Sequence, residues 1–295
     1  MTHTFDNGVF DIPNNIYHAS TALSRSALCE FQKSPWHYWY HYLNPEREKK
    51  EATDAMIVGE LVHNLVLEPQ FIDERFAVKP ALIDVPKVGL LKDIGREEYT
   101  LQKELREIAK SENEEINTQF LASSEGKQIV SFEQFHEASI LADSVLSSDV
   151  ANALFTGVHV EKSIFFTHKE TGLQCKVRPD AWTNGIITDL KTCKDASYRG
   201  FQSAAYQRGY FIQAAMMKQA LESLGIELQK FIFFCVEKVE PYPCVYYTLD
   251  NDSLERGENE FNSLMYQMAE CIESDTWSAY EPRLLTYPAW AKYEG

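Results

Sequence analysis

Apolar side chains recur at Met56, Val58, Leu61, Val62, Leu65 and Val66, a spacing that predicts one face of a helix over residues 53–67. Residues 131–146, 197–224 and 251–274 read as further helices. Ahead of them, residues 17–43 read as two short helices. Ser20 or Ser24 can cap the first, and Ser34-Pro35 opens the second with proline where a helix tolerates it best. The second is crowded with rings (Trp36, His37, Tyr38, Trp39, Tyr40, His41, Tyr42), a composition that suits an N-terminal arm packed on the core better than a base-stacking surface. After residue 157 the rhythm changes. Short β-branched and aromatic runs at 158–167, 173–182, 186–192, 228–238 and 243–249 predict five strands. Lys169-Glu170-Thr171-Gly172 turns the first corner, and Asn184-Gly185 lies between the second and third runs, the strongest short-range signal for a hairpin. Residues 70–128 are polar, broken by Lys79-Pro80 and Val85-Pro86, and read as an insertion or arm with one or two surface helices. The order helix, three strands, helix, strand predicts an α/β fold. It would be a mixed central sheet flanked by helices, with an N-terminal helical segment, in a single domain.

The candidate chemistry gathers on the hairpin. Folding it sets Asp180 near the end of one strand and Asp189 and Lys191 on its partner. Because strand side chains alternate, Asp189 and Lys191 point to one face and Leu190 to the other. Two carboxylates and an ammonium converging there suit a hard divalent cation and an anionic substrate. That is the layout of a metal-dependent phosphodiesterase. Lys191 would orient the attacking water, help deprotonate it, or stabilise the charge that develops on phosphorus. Glu161, on the first strand, is placed either to add a ligand or to order Lys191. Arg178, Lys176 and Arg208 are candidate phosphate contacts, and Tyr210 and Gln213 lie three apart, hence on one helix face.

The sequence Arg178-Pro179-Asp180, an eight-residue gap, and Asp189-Leu190-Lys191-Thr192 resemble the PD-(D/E)xK nuclease superfamily, with its restriction-endonuclease-like core. Gly59-Glu60-Leu61-Val62-His63, the opening Leu23-Ser24-Arg25-Ser26 and Ser34-Pro35, and Tyr210-Phe211-Ile212-Gln213 narrow the resemblance. They are similar to the exonuclease VIII (RecE-like) branch, related to the RecB-type and lambda-type exonucleases, from about Tyr17 to Trp290. That resemblance implies Asp180, Asp189, His63 and the backbone carbonyl of Leu190 as metal ligands. It implies Lys191, Asp180, Asp189, Glu161 and Gln213 as the catalytic set, with Tyr210 beside DNA. It also implies Mg²⁺, with Mn²⁺ as substitute, and a 5′ to 3′ exonuclease on linear duplex ends. A single-strand annealing protein would be its recombination partner, and a ring-shaped trimer or tetramer its assembly. An endonuclease or another processing nuclease of the same fold, and a silent DNA-binding module, are the alternatives. A silent relative would be expected to have lost Asp180, Asp189 or Lys191.

Composition modifies this reading in two places. Net charge is −16, yet residues 158–218 hold nine Lys or Arg against five Asp or Glu, a local +4 against −20 for the rest. Phosphate binding needs placed cations, not a basic protein. The six cysteines (29, 175, 193, 235, 244, 271) lack C-x-x-C spacing and read as reduced thiols with no iron–sulfur cluster. The longest apolar run, residues 231–236, cannot span a membrane, and Met1-Thr2-His3-Thr4 does not begin a signal peptide. Both fit a cytoplasmic protein.

Overall fold

Where one sheet was expected, the described residues form three, of five, three and two strands. The structure, a computed structural model, describes residues 5–48 and 52–286. The expected C-terminal tail beyond 286, Trp290 included, lies outside the described residues. In chain order the strands are β1 (Gly8–Phe10), β2 (Phe76–Val78), β3 (Gln128–Val130), β4 (His159–Val160) and β5 (Ser163–Thr167). They continue with β6 (Gln174–Val177), β7 (Ala181–Thr183), β8 (Ile186–Cys193), β9 (Lys230–Glu237) and β10 (Cys244–Thr248). The helices begin with α1 (Asn14–Ala19), α2 (Arg25–Lys33), α3 (Pro35–Tyr38), α4 (Asp54–Leu67), α5 (Ile72–Arg75) and α6 (Leu91–Ile94). After them come α7 (Arg96–Ser123), α8 (Phe132–Leu146), α9 (Asp149–Phe155), α10 (Tyr198–Gln207), α11 (Tyr210–Ser223) and α12 (Asn251–Ser274).

The central sheet runs β10-β9-β8-β7-β4. It is mixed: β8 and β9 pair in parallel through the α10–α11 crossover, and every other neighbour is antiparallel. The β7–β8 hairpin is the one expected. Asn184 and Gly185 both take positive φ, 46° and 78°, as the tight two-residue turn between twisted strands demands. The register Ala181↔Thr188 follows.

The second sheet, β1-β5-β6, arises because two expected strands break. The run at 158–167 bends at Glu161, whose φ is +48°. The run at 173–182 bends at Pro179, which has no N–H to give to a ladder. The two breaks face each other, for the Glu161 N–H donates to the Asp180 carbonyl at 3.2 Å. The chain therefore changes sheets twice at one crease. The expected helix 197–224 is also two helices, since Gly209 adopts φ +67° and begins α11 in a new direction. Residues 70–128 close on themselves where β2 pairs in parallel with β3. Beyond that pair, α7 runs 28 residues with Ala109 as its one buried residue. An extended strap lies along it, tied by the Asn113 side chain to both the N–H and carbonyl of Ile83 at 2.8 Å.

Strand β8 divides the core. Ile187 and Cys193 face the α2, α11 and α12 side with Phe31, Ala215 and Met265. Leu190 faces α4 and α8 with Leu61, Leu141 and Phe234. Leu190 is fully buried, and truncating it to Ala would cost about 2–5 kcal/mol. Gly59 brings α4 over β8, its bare Cα pointing at Thr192 Oγ1. One turn later the helix presents His63 to the crease. Among the described residues no helix is long and apolar enough to cross a membrane.

Candidate metal centre

Three elements meet at the crease. Helix α4 supplies His63, the bend between β4 and β5 supplies Glu161, and the bend before β7 supplies Asp180. His63 Nδ1 lies 3.6 Å from Asp180 Oδ1 and 3.9 Å from Glu161 Oε1. One ligand atom from each of the three lies within 4.8 Å of the others. Glu161 holds a left-handed backbone that a residue with a Cβ adopts at a cost of about 1–2 kcal/mol. Such strain persists where surrounding contacts impose it, and here it accompanies a side chain aimed back at His63. Asp180, 8% exposed, is pinned from the other side, its Oδ2 accepting the Leu190 N–H at 2.6 Å.

The electrostatics describe a site short of positive charge. Burial raises the Asp180 pKa against the pull of His63, and the nearby Asp189 and Glu161 carboxylates raise it further. Burial alone would lower the pKa of His63, but Asp180 and Glu161 outweigh it and carry the imidazole up to about 9. The cluster thus holds a proton where a cation would be better placed. Two carboxylate oxygens and an imidazole suit a divalent ion such as Mg²⁺ or Mn²⁺, with water or substrate filling the remaining positions.

Asp189 and Lys191 form a second group beside it. Asp189 has no exposed surface; its Oδ1 accepts from Gln213 Nε2 at 2.7 Å and its Oδ2 is in close charge contact with Lys191 Nζ. The Lys191 ammonium sits 4.7 Å above the Tyr210 ring. Burial pulls its pKa down, but Asp189, Asp180 and Tyr210 more than offset that, so it is raised and the group stays charged. Gln213 Oε1 is buried without a hydrogen-bond partner, an orphaned acceptor beside the carboxylates. Of the expected ligands the structure brings His63, Asp180 and Glu161 together within 4.8 Å. Asp189 stands beside them, its oxygens engaged by Gln213 and Lys191. It is the Leu190 amide that the structure sets against Asp180.

The expected phosphate contacts fare differently. Lys176 is 5% exposed and donates to the carbonyls of Tyr17 and Ser20 at 2.7 and 2.8 Å. Arg178 binds Ser163 Oγ through Nε and Nη2, Asn14 Oδ1 through Nη1, and the Ile12 carbonyl through Nη2. Its guanidinium lies 4.3 Å from the centre of the Tyr17 ring. Both cations bind the N-terminal segment to the sheet, because carbonyls and a ring reach them before solvent does. Arg208 is exposed. A residue that charge pattern alone did not single out is Arg25: it holds the Arg208 carbonyl at 2.9 Å and its guanidinium lies 5.8 Å from the Tyr210 ring centre. Its signal was the Leu23-Ser24-Arg25-Ser26 motif. With Tyr17, Ser24, Arg178, Gln213 and Met217 it lines a cleft of about 530 Å³.

A mixed sheet whose hairpin carries Pro179-Asp180 and Asp189-x-Lys191, met at its crease by a histidine from a packed helix, defines a domain of the PD-(D/E)xK nuclease superfamily. The chain belongs to the family described as the PDDEXK-like domain of unknown function (DUF3799), which matches residues 24–282. Among solved structures it is similar to the "Putative exonuclease" of Eubacterium rectale. The two share 16% identity over 95% of this chain and 96% of the other, with a TM-score of 0.57, a likeness of fold. SSO0001 aligns over 73% of this chain and 93% of its own at 16% identity, with a TM-score of 0.26, too low to bear on the fold. A search of the curated proteins returns no match.

Proposed function

We propose that this chain is a divalent-metal-dependent deoxyribonuclease, using Mg²⁺ with Mn²⁺ as substitute. We assign it as a 5′ to 3′ exonuclease on linear double-stranded DNA. The observation that carries the reading is the convergence of His63, Glu161 and Asp180 within 4.8 Å, beside a lysine held charged by Asp189 and Asp180. A bound cation would lower the pKa of water and offset charge on the phosphate and leaving oxygen. His63, Glu161 and Asp180 would hold it. Lys191, fixed between Asp189 and the Tyr210 ring, would place its ammonium on a phosphate oxygen or the attacking water. A group kept protonated in this way suits orientation and charge stabilisation better than proton abstraction. Gln213 would anchor Asp189 and leave its free Oε1 to the water. The cleft lined by Ser24, Arg25 and Gln213 would receive the strand end.

The exonuclease reading extends to partners: duplex ends as substrate, a single-strand annealing protein to take the product, and a trimeric or tetrameric ring for processivity. The test uses end-labelled linear duplex, blocked at the 5′ or the 3′ end, with Mg²⁺, Mn²⁺, Ca²⁺ or chelator. Linear DNA should disappear with Mg²⁺ or Mn²⁺ alone, a 5′ block should stop digestion, and covalently closed circles should survive. Rapid cutting of closed circles would remove the exonuclease assignment, and no cutting under any condition would remove the nuclease one. Light scattering reads the assembly directly.

A further inference from the structure

Helix α10 uses one face in the core and leaves the other uncovered by the described chain. Phe201 and Ala205 turn inward. The Phe201 ring stacks on Tyr247 at 5.3 Å and meets Phe233 at 5.5 Å and Tyr210 at 6.1 Å. Tyr210 is the ring beneath Lys191, so α10 is packed directly against the lysine's support. At its far end the Arg208 carbonyl is held by Arg25, a residue of the cleft.

The outward face carries Tyr198, Arg199, Gln202 and Tyr206, with Arg208 just past its end. Tyr198 is 64% exposed and Tyr206 75%. Eight residues apart, the two rings stand on one side of the helix about 12 Å from each other. Rings this exposed give folding little, and their gain on leaving water is available to a ligand. Tyr198 is oriented by Gln202, whose Nε2 donates to its hydroxyl at 3.1 Å. Lys194, Arg199 and Arg208 make no ion pair among the described residues. The acid on this stretch, Asp195, lies ahead of the helix and accepts the Ser197 N–H at 2.9 Å, while Ser197 caps the helix by accepting the Gly200 N–H at 3.2 Å. Unpaired cations interleaved with two largely exposed tyrosines, of which Tyr198 meets the Tyr247 ring edge-on at 6.1 Å, on a chain of net charge −16, complement a polyanion that offers flat apolar faces. Duplex DNA keeps its base faces inside the stack, whereas a single strand exposes them.

We propose that the outward face of α10 is a binding track for single-stranded DNA, with Tyr198 and Tyr206 stacking on bases and Lys194, Arg199 and Arg208 facing phosphates. The inference rests on the nuclease reading, since digestion of one strand leaves the other unpaired beside the site. Its test needs no cleavage. A fluorescein-labelled oligothymidylate is titrated in chelator with wild type, with Tyr198→Ala/Tyr206→Ala, and with Tyr198→Phe/Tyr206→Phe. The alanine pair should lose about tenfold in affinity per ring, and the phenylalanine pair should bind as wild type does. Arg199→Ala should lower the slope of log affinity against log salt by about 0.7. A wild type that does not bind the oligonucleotide, or an alanine pair that binds it as tightly as wild type, overturns the track. So does an alanine pair whose only change is a lower mass by light scattering, which would make this face a contact between copies. Mg²⁺-dependent cleavage, measured alongside with Asp180→Asn as control, separates the two ideas. Oligonucleotide binding through the rings without any cleavage supports the track and sinks the nuclease reading. Cleavage with normal binding by the alanine pair does the reverse.

Discussion

Lys191 on β8 and Lys176 on β6 stand one on each of the two larger sheets, both nearly withdrawn from water, in opposite surroundings. Lys191 faces carboxylates, and they raise its pKa. Lys176 faces two neutral carbonyls and the Tyr17 ring, and burial together with the Arg178 charge lowers its pKa to about 8. Around Lys176 the donors close on acceptors: two carbonyls for the lysine, and Ser163, Asn14 and Ile12 for Arg178. Around Lys191 the count stays open. Two acids crowd one histidine at the crease, and Gln213 Oε1 has no partner. A buried charge is costly in either setting unless it is paired and hydrogen-bonded. A closed cluster marks a structural fastening, and an open one marks the place where a ligand belongs.

Neutralising the open cluster should separate function from stability. Asp180→Asn should lower DNA cleavage about 10³-fold or more, since it removes a charged ligand from the site where phosphate charge is offset. The metal-free variant should melt no lower than wild type. The folded-state pKa of Asp180 is raised, so its ionised form detracts from stability once pH exceeds its unfolded value, and Asn keeps an acceptor for the Leu190 N–H. Calorimetry with Mn²⁺ and a melting curve read the two halves. The closed cluster should answer in the opposite sense. Lys176→Met orphans the Tyr17 and Ser20 carbonyls and should cost about 2–4 kcal/mol in urea unfolding. Its folded fraction should bind Mn²⁺ normally and keep the wild-type salt dependence of DNA binding. A salt slope lowered by about one would restore Lys176 as a phosphate contact.

The next effect is one of pH. His63 titrates near 9 in the metal-free protein, and an imidazole must be neutral to bind a cation. Apparent Mn²⁺ affinity should therefore fall as pH drops, by about tenfold per unit between about 9 and 7 and more steeply below about 7, where Asp180 also takes up a proton, with between one and two protons released per ion bound near neutrality. The metal-free protein should follow the reverse course. A raised folded-state pKa contributes stability that is fully present below about 6.5, the ordinary value for histidine, and is lost as pH rises through about 9. His63→Gln should flatten both profiles. Titration calorimetry in two buffers of different ionisation enthalpy counts the protons, and an unchanged count in the variant would place the titrating group elsewhere.

Much of this was legible along the chain, and the illegible parts share a cause. The β7–β8 turn was written in Asn184-Gly185, the α4 face in its apolar period, and the shared face of Tyr210 and Gln213 in their three-residue spacing. The breaks at Glu161 and Pro179 were hidden by continuous β-branched and aromatic runs, because the change of sheet is decided by distant partners. Leu23 exchanges backbone hydrogen bonds with Gln174 and Lys176, and β1 pairs with β5 from more than 150 residues away. Gly209 was a visible interruption of the helical pattern and marks the split into α10 and α11. Charge could not tell Lys176 from Lys191, since the oxygens that surround Lys176 are backbone carbonyls of residues 17 and 20, which no side-chain pattern announces. The turning of Asp189 toward Gln213 and Lys191 was beyond sequence for the same reason: identity fixes a carboxylate's reach, and neighbours fix its direction.

The smallest expected effect is the sharpest test of the closed cluster. Arg178 fastens Ile12, Asn14 and Ser163 with a planar fork laid on the Tyr17 ring. A lysine keeps the charge but offers one ammonium that cannot span those acceptors at once. Arg178→Lys should therefore loosen the segment from Gly8 to Asn14 with little effect elsewhere, because that segment is largely exposed and its main tie to the core is the short β1–β5 ladder. Local openings of this kind leave the global free energy nearly unchanged, and a shift of about 1 kcal/mol or less is expected in urea. Amide exchange should quicken at Val9 and Phe10 while Leu190 and Phe234 stay protected. If exchange there is unaltered and the salt slope of DNA binding falls by about one, then Arg178 belongs with Lys191 among the groups that face a ligand, and the line between the two clusters must be drawn between Lys176 and Arg178.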